Sequence, residues 1–436
     1  MTPADRHAFR ASFLHCLRDP VEGAEQDCVE YLDDGALIVE NGRVATVGRY
    51  ADISLDGCPV TDLRGKLVVP GFVDCHVHYP QIDMIGAYGT QLLDWLKRYA
   101  YPAEEKFADR AHAEQVAEFF VDALLMHGTT TALVFATVHA QSADAMFAAA
   151  HRQKLRLITG KVLMDCGCPE ALRDTPESAY RDSRDLIEKW HGVDRLGYAI
   201  TPRFALTSSD AQLQAAGRLA EEFPDVHVHT HLAENAEEIA AVSARFPDFD
   251  SYLDVYERHG LVRERSMFAH CLHLNDKDRS TMATGRAAAA FCPSSNLFLG
   301  SGLFDLAAMD RAGVRVGIGS DVGGGTSLSA LRTLGDGYKV LQLNNQSLSG
   351  FRALYLATLG GARALSLDDE IGNFQTGKEA DFVVLDPPSN SMSARRLTTA
   401  TNAAERFFAL MTLGETNAVH STYVLGSRAY ARSAER

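Results

Sequence analysis

Eight short runs rich in β-branched and small apolar residues recur along the middle of the chain, with helical spacing between them. They are KLVVPGFVDCHVH, TTTALVFATV, LRLITGKVLM, RLGYAITPRFALT, DVHVHTHLAE, RSMFAHCLHL, AAAAFCPSSN and VRVGIGSD. Between the first two, Val116, Phe119, Phe120, Ala123 and Leu124 return at three- and four-residue steps, the mark of an amphipathic helix, with Gly128 as its stop. AQSADAMFAAAHRQ and DAQLQAAGRLAEEF read as helices in the same way. Strands that alternate with helices run parallel, because each crossover carries the chain back to the end it left, and eight such strands close into a barrel. An open doubly wound sheet is the other solution; it calls for a glycine-rich fingerprint after the first strand, which this sequence lacks.

The two ends have a different texture. GALIVENGRVATVGRY alternates as antiparallel strands do and turns at Asn41-Gly42, while IGNFQTGKEADFVVLD carries short strands with glycine turns. The expected fold class is therefore α/β, a (β/α)8 TIM barrel inserted into a small β-sandwich domain formed by both chain ends. Residues 1–66 make the first part of that domain, 67–370 the barrel, and 371–436 the second part with a terminal helix. A length of 436 residues, 46% of them hydrophobic and 23% charged, suffices to bury such a core.

The formal net charge of −15 argues against nucleic acid and against an anionic membrane surface, both of which need clustered Lys and Arg. A small uncharged or cationic ligand fits better. The eight cysteines form no C-x-x-C pair and several lie in apolar runs, which predicts reduced thiols. The opening MTPADRHAFRASFLHCLRDP has no apolar stretch of signal-peptide length, and no run approaches a membrane span. The expected location is cytoplasmic.

In such a barrel the chemistry gathers where the strands end. The first run ends in His76 and His78, whose i, i+2 spacing aims both imidazoles at one face. Taken alone, the pair reads equally as half a metal site or as two core histidines bonded to carbonyls. The fifth run ends in HVHTHLAE, the sixth in FAHC and the eighth in GSDVGG. His227, His229 and His231 share a face; His231 is nearest the mouth and is the expected ligand, with His229 as the fallback and the first two otherwise filling inner layers. His76, His78, His231 and Asp321 then offer three nitrogens and one oxygen, a set that suits one zinc ion and leaves room for water. Glu234 and His270 remain as acid–base partners. The fourth run ends in TPRF without a lysine, so a second metal bridged by a modified lysine is not expected.

These residues carry a resemblance. PGFVDCHVH, the H-x-x-E of the fifth run, the histidine of the sixth, the aspartate of the eighth and GNFQTGKEADFVVLD together look like the amidohydrolase superfamily. HYPQIDMIGAYGTQLLDWLKRYAYPAEEKF, TPRFALT, HLAENAEEIAAVSARFPDFDSYLDVYERHGL, FAHC and CPSSNLFLGSG resemble the guanine deaminase family within it over nearly the whole chain. The resemblance implies zinc-dependent hydrolysis of guanine to xanthine and ammonia. It implies that His76, His78, His231 and Asp321 hold the zinc, that Glu234 moves protons between water and the purine ring, and that His270 and Asp321 orient and deprotonate the water. Gln81, Arg203 and Phe204 match guanine-binding positions, and a homodimer is implied as well.

Other readings stand beside these. The same chemistry on 8-oxoguanine, a pterin or a triazine is the near rival, and a non-catalytic barrel scaffold the distant one. Arg203 alone could be a surface ion-pair partner, and Phe204 could be core. Trp95, Tyr99 and Tyr101 read as a packed loop before a substrate lid. The HAE at 112–114 lacks the P-C-x-x-C partner of nucleic-acid deaminases and reads as a solvated helix face. Lys161 reads as a surface charge, and the DVGGGTS run as a mobile loop.

Overall fold

In the computed structural model, which describes residues 6–22, 24–55, 57–89, 91–414 and 416–433, each apolar run becomes a parallel strand. These are β1 (Phe72–His78), β2 (Thr129–Phe135), β3 (Arg156–Gly160), β4 (Leu196–Pro202), β5 (His227–Leu232), β6 (Ser266–His270), β7 (Ala288–Phe291) and β8 (Arg315–Ile318). They pair in chain order from β1 to β8. Past β8 the backbone returns to β1: Asp321 N donates to His76 O at 2.9 Å, and His78 N to Val322 O at 2.9 Å. Val73, Leu133, Ile158, Ala199, Met267 and Ala288, drawn from six strands, pack into one buried cluster, so the barrel is filled rather than hollow.

The helices follow the sequence periodicity except at Phe119, which is 60% exposed while Val116, Phe120, Ala123 and Leu124 are buried. Arg110–Met126 is capped by the Asp109 carboxylate and stops where Gly128 takes a positive φ of 85°. Ala140–Arg152 and Asp210–Glu222 occupy the two other expected stretches. The HAE is only in part a solvated face: Glu114 is exposed and pairs with Arg110 one turn back at 2.9 Å, whereas Ala113 is buried and the His112 ring packs on Phe107 with centroids 4.8 Å apart. No helix among the described residues is long and apolar enough to cross a membrane. All eight cysteines are free thiols.

The first run serves two sheets. It divides at Pro70-Gly71 into Val60–Pro70, which joins the small β-domain, and β1. A Cβ on Gly71 would lie 1.9 Å from Thr130 Oγ1, so any side chain at the joint must push Thr130 aside. The small domain is one continuous seven-stranded sheet. Arg6–Cys16, Val29–Glu40, Arg43–Arg49 and Val60–Pro70 come from the first part, and Phe382–Leu385, Val419–Val424 and Ser427–Ala431 from the second. Arg6–Cys16 and Val419–Val424 stand three positions apart, about 14 Å in a flat sheet. Yet the Phe9 and Tyr423 ring centroids are 5.2 Å apart, so the sheet curls over its own core.

Three expectations need correction. The C-terminal segment holds a short helix, Met392–Leu397, and a longer one, Ala403–Leu413, and the longer is not terminal. Gly414 ends it at φ 58°, and the described chain finishes on a hairpin turning at Gly426. IGNFQTGKEADFVVLD yields one strand, Phe382–Leu385. Its earlier residues bind as loop, with Val44 N donating to Lys378 O and Gly377 N to Val44 O, both at 2.8 Å. Lys161 is not a surface charge: it is 1% exposed and paired with Asp174 at 2.5 Å, because the segment after β3 folds back over it.

Candidate active site

Four donor atoms meet above the barrel core. His76 Nε2 lies 3.2 Å from Asp321 Oδ1, His78 Nε2 lies 3.4 Å from the same oxygen, and His78 Nε2 lies 3.2 Å from His231 Nε2. Donors bonded tetrahedrally at 2.0–2.1 Å stand about 3.3–3.4 Å apart, so these separations match the edges of such a shell. His76 Nε2 is moreover buried with no hydrogen-bond partner, the state of a lone pair awaiting a cation. The donor set therefore fits a metal ion. The side chains reach this point from β1, β5 and the turn after β8, and the β1–β2 register shifts between Asp74 and Val77, just where the two histidines leave β1.

His270 Nε2 also comes within 3.6 Å of Asp321, but of the other oxygen, Oδ2. The ligating atoms of His76, His231, His270 and Asp321 all lie within 4.8 Å of one another, which makes a second possible quartet. The first is preferred because its separations are those of a coordination shell and because Asn296 Nδ2 donates to His270 Nδ1 at 2.9 Å. That bond places the His270 proton on Nε2, where it faces Glu234 Oε2 at 3.3 Å.

Each imidazole is held from behind. His231 Nδ1 donates to the carbonyl of Arg203 at 2.7 Å, and His76 Nδ1 meets His229 Nε2 at 2.7 Å. His227 bonds the carbonyl of Leu365 at 2.8 Å and stays far from the mouth. Phe135, at the end of β2, stacks on His78 with centroids 4.6 Å apart and closes the apolar side. Burial keeps the imidazoles neutral: it pushes His76 down to about 3, and His78, His231 and His270 well below the usual range. The opposite holds for acids. Burial, reinforced by the nearby Asp321, pushes the Glu234 carboxyl well above the ordinary carboxylate range, which favours a protonated acid.

Left-handed backbone concentrates at these strand ends. Ala233, His270 and Asp321 have φ of 49°, 72° and 48°, a conformation costing about 1–3 kcal/mol per residue away from glycine. Glu238 steadies the turn carrying Glu234: its Oε2 accepts the N–H groups of Glu234 at 2.9 Å and Asn235 at 3.1 Å, and its Oε1 the Tyr252 hydroxyl at 2.7 Å. The N-x-x-E of NAEE is the capping-box signature that could have revealed it.

A cavity opens over this centre. Gln81, Arg203 and Phe204 line it together with His78, Glu234 and Asp321, and Leu92, Trp95 and Leu96 form its apolar wall. Trp95, Tyr99 and Tyr101 stand on consecutive helical turns from Leu92 to Glu105 and not on a loop; Trp95 is both packed and lining, and its indole N–H donates to Ala87 O at 3.0 Å. Tyr101 is buried with its ring 5.4 Å from the Arg203 guanidinium. Arg203 is 2% exposed and its counter-ion is Glu104, at 2.6 Å, a residue that no sequence signal marked beyond its place in the helix-like EEKF. The glycines of DVGGGTS are there for close approach: a Cβ on Gly325 would sit 1.8 Å from Ser320 O, and Gly323 N donates to Gln81 Oε1 at 3.2 Å.

Comparison with known proteins agrees with this geometry. Residues 67–428 match the model of the amidohydrolase family. The chain is 48% identical over 431 residues to the guanine deaminase of Escherichia coli (strain K12), covering 98% of each. The structure of the E. coli guanine deaminase superposes with a TM-score of 0.95, over 98% of this chain and 100% of that one. The guanine deaminase of C. acetobutylicum, solved with guanine in its active site, superposes with a TM-score of 0.90 at 25% identity, over 98% and 100% of the two chains.

Proposed function

This chain belongs to the amidohydrolase family, and on that footing we propose that it hydrolyses guanine to xanthine and ammonia with one zinc ion per chain. The observation that carries the reading is the convergence of a three-histidine, one-aspartate donor set at the floor of a cavity that is also lined by a buried acid at Glu234 and the polar pair Gln81 and Arg203. His76, His78, His231 and Asp321 would hold the zinc, which when bound supplies the pull that lowers the pKa of water to about 7.

The chain's own groups do the rest. His270 orients the water through its Nε2–H, and the Oδ2 side of Asp321 takes up the water's first proton. The water oxygen bonds to the ring carbon that bears the amino group. Glu234 passes its proton to the adjacent ring nitrogen, takes the second proton of the added water and passes that to the departing amine, so that the C–N bond breaks as the C=O forms and ammonia leaves; the proton held by Asp321 then returns to Glu234. Arg203 and the Gln81 amide read the carbonyl and ring nitrogens, and Phe204 supplies an apolar face. The leaving group is replaced by the water oxygen, which gives xanthine. The proposal extends to a cytoplasmic setting, supported by eight unpaired thiols, and to a homodimer, supported by the family resemblance alone.

Ammonia release from guanine, 8-oxoguanine, pterin and a triazine, each with and without a chelator, tests the proposal. Guanine is expected to lead by at least an order of magnitude and to lose turnover on chelation, with recovery on adding zinc. Equal or better turnover of another ring overturns the substrate, and chelator-insensitive turnover overturns the metal.

A further inference from the structure

We infer that Glu104 is the positioning residue that sets substrate selectivity, by fixing the direction in which both Arg203 and Gln81 present their hydrogen-bonding groups; this rests on the guanine reading above. Glu104 stands on the short helix Tyr101–Glu105 and is fully buried beside the cavity. Its two carboxylate oxygens accept from one guanidinium nitrogen, Arg203 Nη1, at 2.8 and 2.6 Å. Its Oε1 also accepts from Gln81 Nε2 at 2.9 Å. One carboxylate thus serves two cavity-lining side chains from different strand ends.

The chemistry of the three groups makes the arrangement directional. An ionised carboxylate only accepts, so the Gln81 face toward Glu104 must be the NH2. The other end of that amide accepts from Gly323 N at 3.2 Å, and a backbone N–H only donates. Gln81 therefore cannot flip, and its remaining N–H and remaining lone pair keep fixed places. Glu104 engages a single nitrogen of Arg203, which leaves the other two nitrogens of the guanidinium for a ligand. A buried ion pair is a poor source of stability, since desolvation offsets its attraction, so its place at the cavity wall is better explained by selectivity. Fixed donors aimed at a ring carbonyl reject a ring without one, because the donors are then buried unpaired.

The test compares guanine with 2-aminopurine, which keeps the amino group to be lost and lacks the 6-carbonyl oxygen. Wild-type turnover of guanine checks the function reading separately. In Glu104→Gln, a neutral amide no longer dictates the orientation of Gln81 or balances Arg203. Guanine kcat/KM is expected to fall about 100-fold, mostly through KM, while 2-aminopurine, measured by turnover or by its inhibition constant, changes less than about 5-fold. Metal content per chain should stay at the wild-type value. A parallel fall for both purines, or no change for either, overturns the inference. If Glu104→Gln does not fold, the double variant with Arg203→Met removes both charges. Its guanine-to-2-aminopurine ratio should lie at least about 3-fold below that of Arg203→Met alone, because Gln81, the only reader left, then loses its fixed orientation; an equal ratio overturns the inference.

Discussion

His229 stands behind His76, with its Nε2 2.7 Å from His76 Nδ1, and both rings are fully buried. A neutral His76 that keeps Nε2 bare must carry its proton on Nδ1 and give it to His229. His229 thereby selects the tautomer that can bind a cation. His229→Leu is expected to weaken metal binding about 10- to 100-fold, and His229→Gln, which retains an acceptor, to weaken it less. Titration against a competing chelator measures both; unchanged affinity in the leucine variant would remove His229 from the metal centre.

Glu234 lies 3.3 Å from His270 and accepts from the Ser301 hydroxyl at 3.1 Å, while making none of the close contacts of the donor quartet. Glu234→Gln should accordingly keep its metal and lose about 10²- to 10⁴-fold in turnover. Metal analysis and a guanine assay on the same preparation decide it. Near-normal rates would mean that the proton travels by another route.

Burial disfavours the charged form of His227 and pushes its pKa down to about 4, from the ordinary imidazole value of 6.5. The unfolded chain therefore binds a proton that the folded chain refuses between those two values. Its contribution is fully present above pH 6.5 and is lost as pH falls toward 4. The loss amounts to about 2–3 kcal/mol by pH 4.5. Urea unfolding of wild type and His227→Gln at pH 7 and 4.5 should show the variant losing that much less, since the other histidines cancel in the difference. Identical pH responses would contradict it.

Gly71 joins the two sheets, and a Cβ there would lie 1.9 Å from Thr130 Oγ1. Gly71→Ala is expected to destabilise the protein by about 1–3 kcal/mol, the usual cost of overpacking a filled interior. The thermal midpoint should drop by several degrees. A midpoint within one degree of wild type would show that Thr130 can yield.

Much of the site could be read from residue spacing. His76 and His78 share a face because strand side chains repeat every two residues, and the acid three places after His231 falls at the same mouth. Spacing could not tell which of His227, His229 and His231 faces the mouth, since all three share that parity; depth along β5 separates them, and depth depends on how far neighbouring strands extend. Glu104, Asn296 and Phe135 were beyond reach for another reason. Each acts through a partner distant in the chain, Glu104 through Arg203, and no local pattern encodes that partner.

What the sequence by itself determined is the alternation of eight strands with helices, the split domain at the two ends, and the clustering of imidazoles and carboxylates at strand ends. These follow from periodicities of two and 3.6 residues, which are properties of the local backbone. Only the tertiary structure decided that one sheet curls over a single core, that Lys161 is buried, and that Glu104 joins Arg203 to Gln81. Those outcomes depend on distances between segments far apart in the chain, and closing a barrel sets such distances all at once.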